Sequence, residues 1–223
     1  MIFDILKDGL EYVGTNRNQI IIYYLGILLF PLVFIEAYSY HIIENCLNGI
    51  INNKDKLSDI TLNPEMFLKG LKLLILKIVY YLPELIILTV IPNIKHINYT
   101  YVLILLVILT VISYYISQIA SICMVESGSI KEGFNFSKII NILKSVGVTY
   151  IELIIATFII VLGIIGVTVM VVGLIMLLSN ISTILFTLLL VLLTIAYFVF
   201  IIVLIPIYVL FKNRATVSIY NLR

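Results

Sequence analysis

Residues 69–87 read KGLKLLILKIVYYLPELII, which sets three lysines, a proline and a glutamate inside a run that is otherwise almost wholly apolar. A soluble helix gathers its charges on one wet face, whereas a lipid-spanning helix keeps them out of its middle. The solvent in which this chain folds therefore has to be settled from what surrounds the stretch. Of the 223 residues, 62% are hydrophobic and 12% charged, with a mean hydropathy of +1.20. Ordinary domains are about 45–50% apolar and about 25% charged. Such a chain has too little polar surface to coat a globule. Several apolar runs exceed the ~18–20 residues that cross ~30 Å of hydrocarbon, so the sequence predicts an all-α, polytopic membrane helix bundle embedded in a lipid bilayer.

The remaining composition narrows the function classes. The ten-residue alternation of an outer-membrane barrel is absent. A formal net charge of +2 offers no basic field for nucleic acid. Two cysteines, Cys46 and Cys123, give no disulfide scaffold and no cysteine-rich metal site. Residues 1–14 mix acids and bases where a secretion signal needs a positive start.

Walking outward from the quoted stretch, residues 65–92 form one membrane helix that ends at Pro92, and residues 99–125, 148–178 and 181–211 form three more, the last closing on a basic tail. Residues 19–44 are a further apolar segment interrupted by Pro31, which deletes a backbone hydrogen bond and kinks or breaks the helix. The architecture expected is four full spans plus this broken segment, either a hairpin or a fifth span. Two amphipathic helices too polar to span, residues 1–14 and 128–147, belong in the interface. In the first, Ile2, Ile5, Leu6, Gly9 and Val13 share one face and Asp4, Lys7, Asp8 and Glu11 the other.

Basic residues decide between hairpin and fifth span, because they collect on the cytoplasmic side. If residues 19–44 cross once, Lys7, Arg17 and Lys95 are separated from every other basic residue. If they form a hairpin, only Lys95 of the 14 is set apart. The hairpin is preferred, with both termini cytoplasmic, although its arms of ~18–20 Å fall short of the ~30 Å core and need their turn buried in protein.

That topology explains the three lysines. Lys69, Lys72 and Lys77 lie near the cytoplasmic end of their helix and are read as interfacial anchors, Lys77 reaching back toward water along its own stem. Glu84 sits about ten residues into the apolar part, where a carboxylate costs several kcal/mol unless protonated, paired or wetted. With Glu36, Glu152, Tyr80 and Tyr81 it makes up a candidate intramembrane polar site. One reading is a proton- or ion-coupling carboxylate of a transport or permeation module. The plainer one is a protonated glutamate bonded to a tyrosine or to a carbonyl freed by Pro83. Gly163, Gly166 and Gly173 recur on one side of a helix as a small-residue strip, which suits packing inside the chain before a seam between copies. His41 and His96 are solitary, and no nucleophile elbow, phosphate loop or zinc helix occurs. No cofactor, no metal and no catalytic residue is expected. The function expected is that of a structural or interaction component, not an enzyme, with other membrane subunits or a second copy as partners.

Four short elements carry a resemblance: AYSYH at 37–41, NG at 48–49, MFLKGLK at 66–72 and YYLP at 80–83. In their order they resemble domain-of-unknown-function family 4013, a set of archaeal and bacterial membrane proteins. Tyr38, Gly49, Phe67, Gly70, Leu71, Lys72, Tyr80 and Pro83 look like family positions. Ala37 and His41 stand where members typically carry glycine and arginine, and the loop lacks the typical tryptophan and double acid. The resemblance implies a helical membrane domain and no particular activity.

Overall fold

A computed structural model describes residues 1–29, 31–47, 49, 55–60, 63–91, 99–178 and 183–223. Among them the chain is helical and strand-free: α1 (Ile2–Thr15), α2 (Gln19–Leu29), α3 (Pro31–Cys46), α4 (Pro64–Tyr80), α5 (Leu82–Val90), α6 (Tyr99–Ser127), a 3-10 turn (Ile130–Phe134), α7 (Phe136–Leu178) and α8 (Thr183–Tyr220). Three helices, α6, α7 and α8, are long and apolar enough to cross a membrane, and α4 with α5 makes a fourth such segment if the bent pair is counted as one. Expectations that fall on Pro92, Lys95, His96 and residues 179–182 lie outside the described residues.

The chain reverses at Pro31. The Tyr23 ring packs at 4.9 Å on Tyr38, and Gly26 sits beneath the Phe34 ring, so α2 and α3 run antiparallel as the hairpin the basic residues favour. A second proline opens α5, and there the expected single helix over 65–92 divides: α4 ends at Tyr80 and α5 departs at 53°. The physical cause is Pro83 in the first turn of α5, whose ring cannot share the ladder of the preceding helix. Asn63 starts α4 by accepting from the Met66 backbone at 2.8 Å, with Pro64 at the first helical position.

Two more boundaries differ from the sequence reading. No break separates an interfacial helix at 128–147 from a span at 148–178; a short 3-10 turn leads into one α7 of 43 residues, ~64 Å long. Ser145-Val146-Gly147-Val148 carries no proline and one glycine, so nothing stops the helix where its polarity changes. The expected basic tail after residue 211 is likewise helical and buried, because α8 continues to Tyr220 with Leu210, Ala215, Val217 and Ile219 almost free of exposure.

The starts of α2, α4, α7 and the ends of α3, α6, α8 gather at one pole. Lys69 meets Glu44 at 3.2 Å between α4 and α3, and the Tyr220 hydroxyl donates to Glu126 at 2.8 Å between α8 and α6. Helix α1 lies against the last turns of α8 there, burying Ile5, Asp8, Gly9, Tyr12 and Val13. The core is concentrated at this pole. Farther along, the most apolar windows of α7 and α8 have no buried residue, as expected of surfaces that face hydrocarbon instead of water.

Candidate functional site

Glu84 is where the fold does something unusual with a charge. The 53° bend turns the first turn of α5 inward, and the side chain is 5% exposed while most of α5 is open. Neither carboxylate oxygen has a hydrogen-bond partner among the described residues, so the expected tyrosine or carbonyl cap is not made. The first-turn position offers compensation of another kind, since unpaired N–H groups of a helix start favour negative charge. Tyr81, at the hinge between α4 and α5, is the closest of the expected companions in sequence and fold.

The other members of the predicted cluster disperse. Glu36 on α3 pairs with Lys77 on α4 at 2.5 Å, both ends largely buried. Lys77, read as an anchor that reaches back toward water, is paired with a carboxylate that itself needed a partner. Tyr80 faces away from Glu84: its hydroxyl donates to the Gly133 carbonyl at 2.7 Å and its ring stacks on Phe134. Glu152 is exposed on α7. Of the remaining lysines, Lys69 bridges Glu44 and Glu65 at 3.2 Å over the Tyr40 ring, and Lys72 is exposed. The structure brings together Glu36 with Lys77 and sets Glu84 and Tyr81 on the adjoining hinge, but it does not assemble a five-residue site.

Gly163, Gly166 and Gly173 also fall elsewhere than expected. A Cβ at any of them would meet nothing within 4 Å among the described residues. The half-buried positions Ile164, Thr168, Val171, Val172 and Ile175 mark the inward face of α7, and the glycines lie about half a turn away. Among the described residues no helix packs on the strip.

The most deeply buried ion pair among the described residues escaped the sequence reading. Arg214, in the supposed tail, is 1% exposed and donates from Nε and Nη2 to the two Asp8 oxygens at 2.7 and 3.1 Å. Asp55 lies 3.1 Å from Nη1, and Ser218 donates to Asp8 at 3.2 Å. The guanidinium covers the Tyr12 ring at 5.2 Å. Burial, followed by the neighbouring Cys46, pushes the Tyr12 phenol far above its ordinary range and keeps it neutral. Asn16 completes the knot by donating to the Asp55 carbonyl and accepting from the Leu57 backbone at 2.7 Å. Asp8 had been assigned to the wet face of α1; its pairing with an arginine 206 residues away reverses that assignment. One signal was available: Gly49 of the NG turn, whose Cβ would run into Arg214 and Asp55.

One further motif residue is a packing position of the same kind. Gly70 lets α4 approach α3 so closely that a Cβ there would lie 2.5 Å from the Val33 carbonyl and 2.6 Å from Ala37. Ala37 faces Gly70 at that crossing, whose smallest residue is therefore carried on α4. His41 meets the Ser58 carbonyl at 2.9 Å and so ties α3 to the loop. No curated protein and no solved structure matches the chain. A family model described as a protein of unknown function (DUF4013) matches residues 20–177, from α2 to the end of α7, and the chain belongs to that family.

Proposed function

We propose that this chain is a multi-pass membrane component that works by assembling with other membrane helices, a second copy or another subunit, and carries out no catalysis. The observation that carries the reading is the glycine strip of α7, turned away from every described neighbour while the residues around it, 158–178, are otherwise almost all bulky and apolar. Small residues at helix surfaces let backbones approach and are a main source of helix association in lipid, where burial of apolar area supplies little. The polar groups support the same reading, because Arg214, Lys77, Lys69 and Lys138 each face a carboxylate of their own fold. Lys69, Lys138, Arg214 and Arg223 pair with carboxylates at the pole that gathers α1 and the helix ends, which favours placing both termini in the cytoplasm. Native mass spectrometry of full-length protein released in mild detergent tests the proposal. A dimer or a heteromeric complex is expected; a monomer alone at all protein-to-detergent ratios overturns it.

A transport or permeation role has one observation of its own, the buried Glu84 without a hydrogen-bond partner beside a helix break. If Glu84 couples ions, Glu84→Gln abolishes proton flux in liposomes containing the protein. If it does not, the neutral side chain leaves flux at the empty-liposome level in both forms.

A further inference from the structure

We propose that the cavity between α6, α7 and α8 is a binding site for the headgroup and first acyl segments of an anionic phospholipid. The cavity measures about 210 Å³, too roomy for one water, whose share of the liquid is ~30 Å³. Its walls come from Tyr114 of α6, Leu153, Thr157 and Phe158 of α7, and Tyr208 and Lys212 of α8. Two features of this lining are chemically incomplete.

The first is Lys212. Among the described residues its side chain makes no hydrogen bond and no ion pair, although it lines the cavity. The charged groups that act on it are Lys77 and Glu36, and they are paired with each other. In its protonated form the Lys212 side chain therefore has no counter-ion of its own among the described residues, and an anion from outside would supply one. The second is the tyrosine pair. The hydroxyls of Tyr114 and Tyr208 lie 3.1 Å apart, and whichever donates to the other, one proton remains to be given. Thr157 and Thr216 on the same wall already donate to carbonyls of their own helices. An ammonium and a phenolic donor facing one cavity fit a phosphodiester.

Position selects lipid over a soluble anion. Lys212 is the first charged residue after the uncharged run at 183–211, which places it where headgroups begin. The opposite rim is Phe158, 61% exposed on the surface that faces hydrocarbon, so the cavity opens sideways to acyl chains. Nothing here depends on whether the chain is a monomer or an oligomer.

The test uses full-length protein in nanodiscs and in detergent, with native mass spectrometry and thermal unfolding as readouts. Phosphatidylglycerol is compared with phosphatidylcholine of the same chains and with inorganic phosphate. One retained phosphatidylglycerol and a raised Tm are expected, phosphatidylcholine and phosphate giving neither. Lys212→Met should lower phosphatidylglycerol retention at least about fivefold and Lys212→Arg should preserve it. Thr157→Trp, which fills the cavity and leaves the charge, should abolish it even if Lys212→Met fails to fold. Equal retention of both lipids, an equal shift with phosphate alone, or full retention in Thr157→Trp overturns the assignment.

Discussion

Arg214 shows what a single buried charge demands of a membrane protein. With Asp8 it forms a two-pronged ion pair inside the pole, screened from solvent on both sides. Removing one partner from such a pair leaves the other charged and desolvated, a loss of about 3–5 kcal/mol. Asp8→Ala should therefore lower the midpoint of thermal unfolding in detergent by many degrees. Asp8→Leu combined with Arg214→Met, which replaces the pair by apolar volume, should recover most of the loss, since the pair itself returns little more than its own desolvation. A double variant as unstable as Asp8→Ala would mean that the guanidinium is needed for its contacts to Asp55 and Tyr12, not only to answer Asp8. Residue-level roles of this kind were the least legible in the sequence. Asp8 follows a lysine in an amphipathic helix and Arg214 follows an asparagine in a basic run, and both letters read as solvated. Only proximity across the whole chain gives them a common meaning. Lys77 was misplaced for the same reason: its depth was readable, but Glu36, its partner, belonged to another helix.

At the scale of the element, the readable features were those with a local cause. Pro31 and Pro83 each announce a break, and the basic-residue bias selects the hairpin at the first. What local cause did not give was continuity: α7 and α8 run through changes of polarity that looked like boundaries, because a helix has no reason to stop where only its surroundings change. Contact between elements adds a further distinction, visible in the glycines. Gly70 sits in a crossing where any Cβ meets backbone, whereas Gly163 faces open space, although both look alike in sequence. Gly70→Ala should cost about 1–3 kcal/mol through overpacking against Val33 and Ala37. Gly163→Ala in the isolated chain should be neutral or stabilise by about 0.5–1 kcal/mol, the usual gain on replacing glycine in a helix. Unfolding midpoints of the two purified variants, measured side by side in the same detergent, check the contrast, and an equal loss at both positions would remove the distinction.

Across the whole molecule the fold is unevenly consolidated. One pole is a dense knot of α1 with the ends of α3, α6 and α8, and beyond it the most apolar windows of α7 and α8 bury none of their residues. Lipid alone can cover bulky side chains, but it fills a glycine-lined groove poorly, because dispersion contacts fall away steeply across a gap. A helix whose inward face is Ile164, Thr168 and Ile175 and whose outward face carries Gly163, Gly166 and Gly173 therefore has its better packing surface on the side with no neighbour among the described residues. If another helix occupies that side, a photo-crosslinking residue encoded at position 166 should give a higher-mass adduct in native membranes, and the same residue at position 168, turned inward on α7, should not. An adduct of twice the chain mass identifies a second copy, and one of another mass identifies a different subunit. Equal yields at both positions, or none at 166, would show that lipid covers the strip and that the chain's membrane half is complete as it stands.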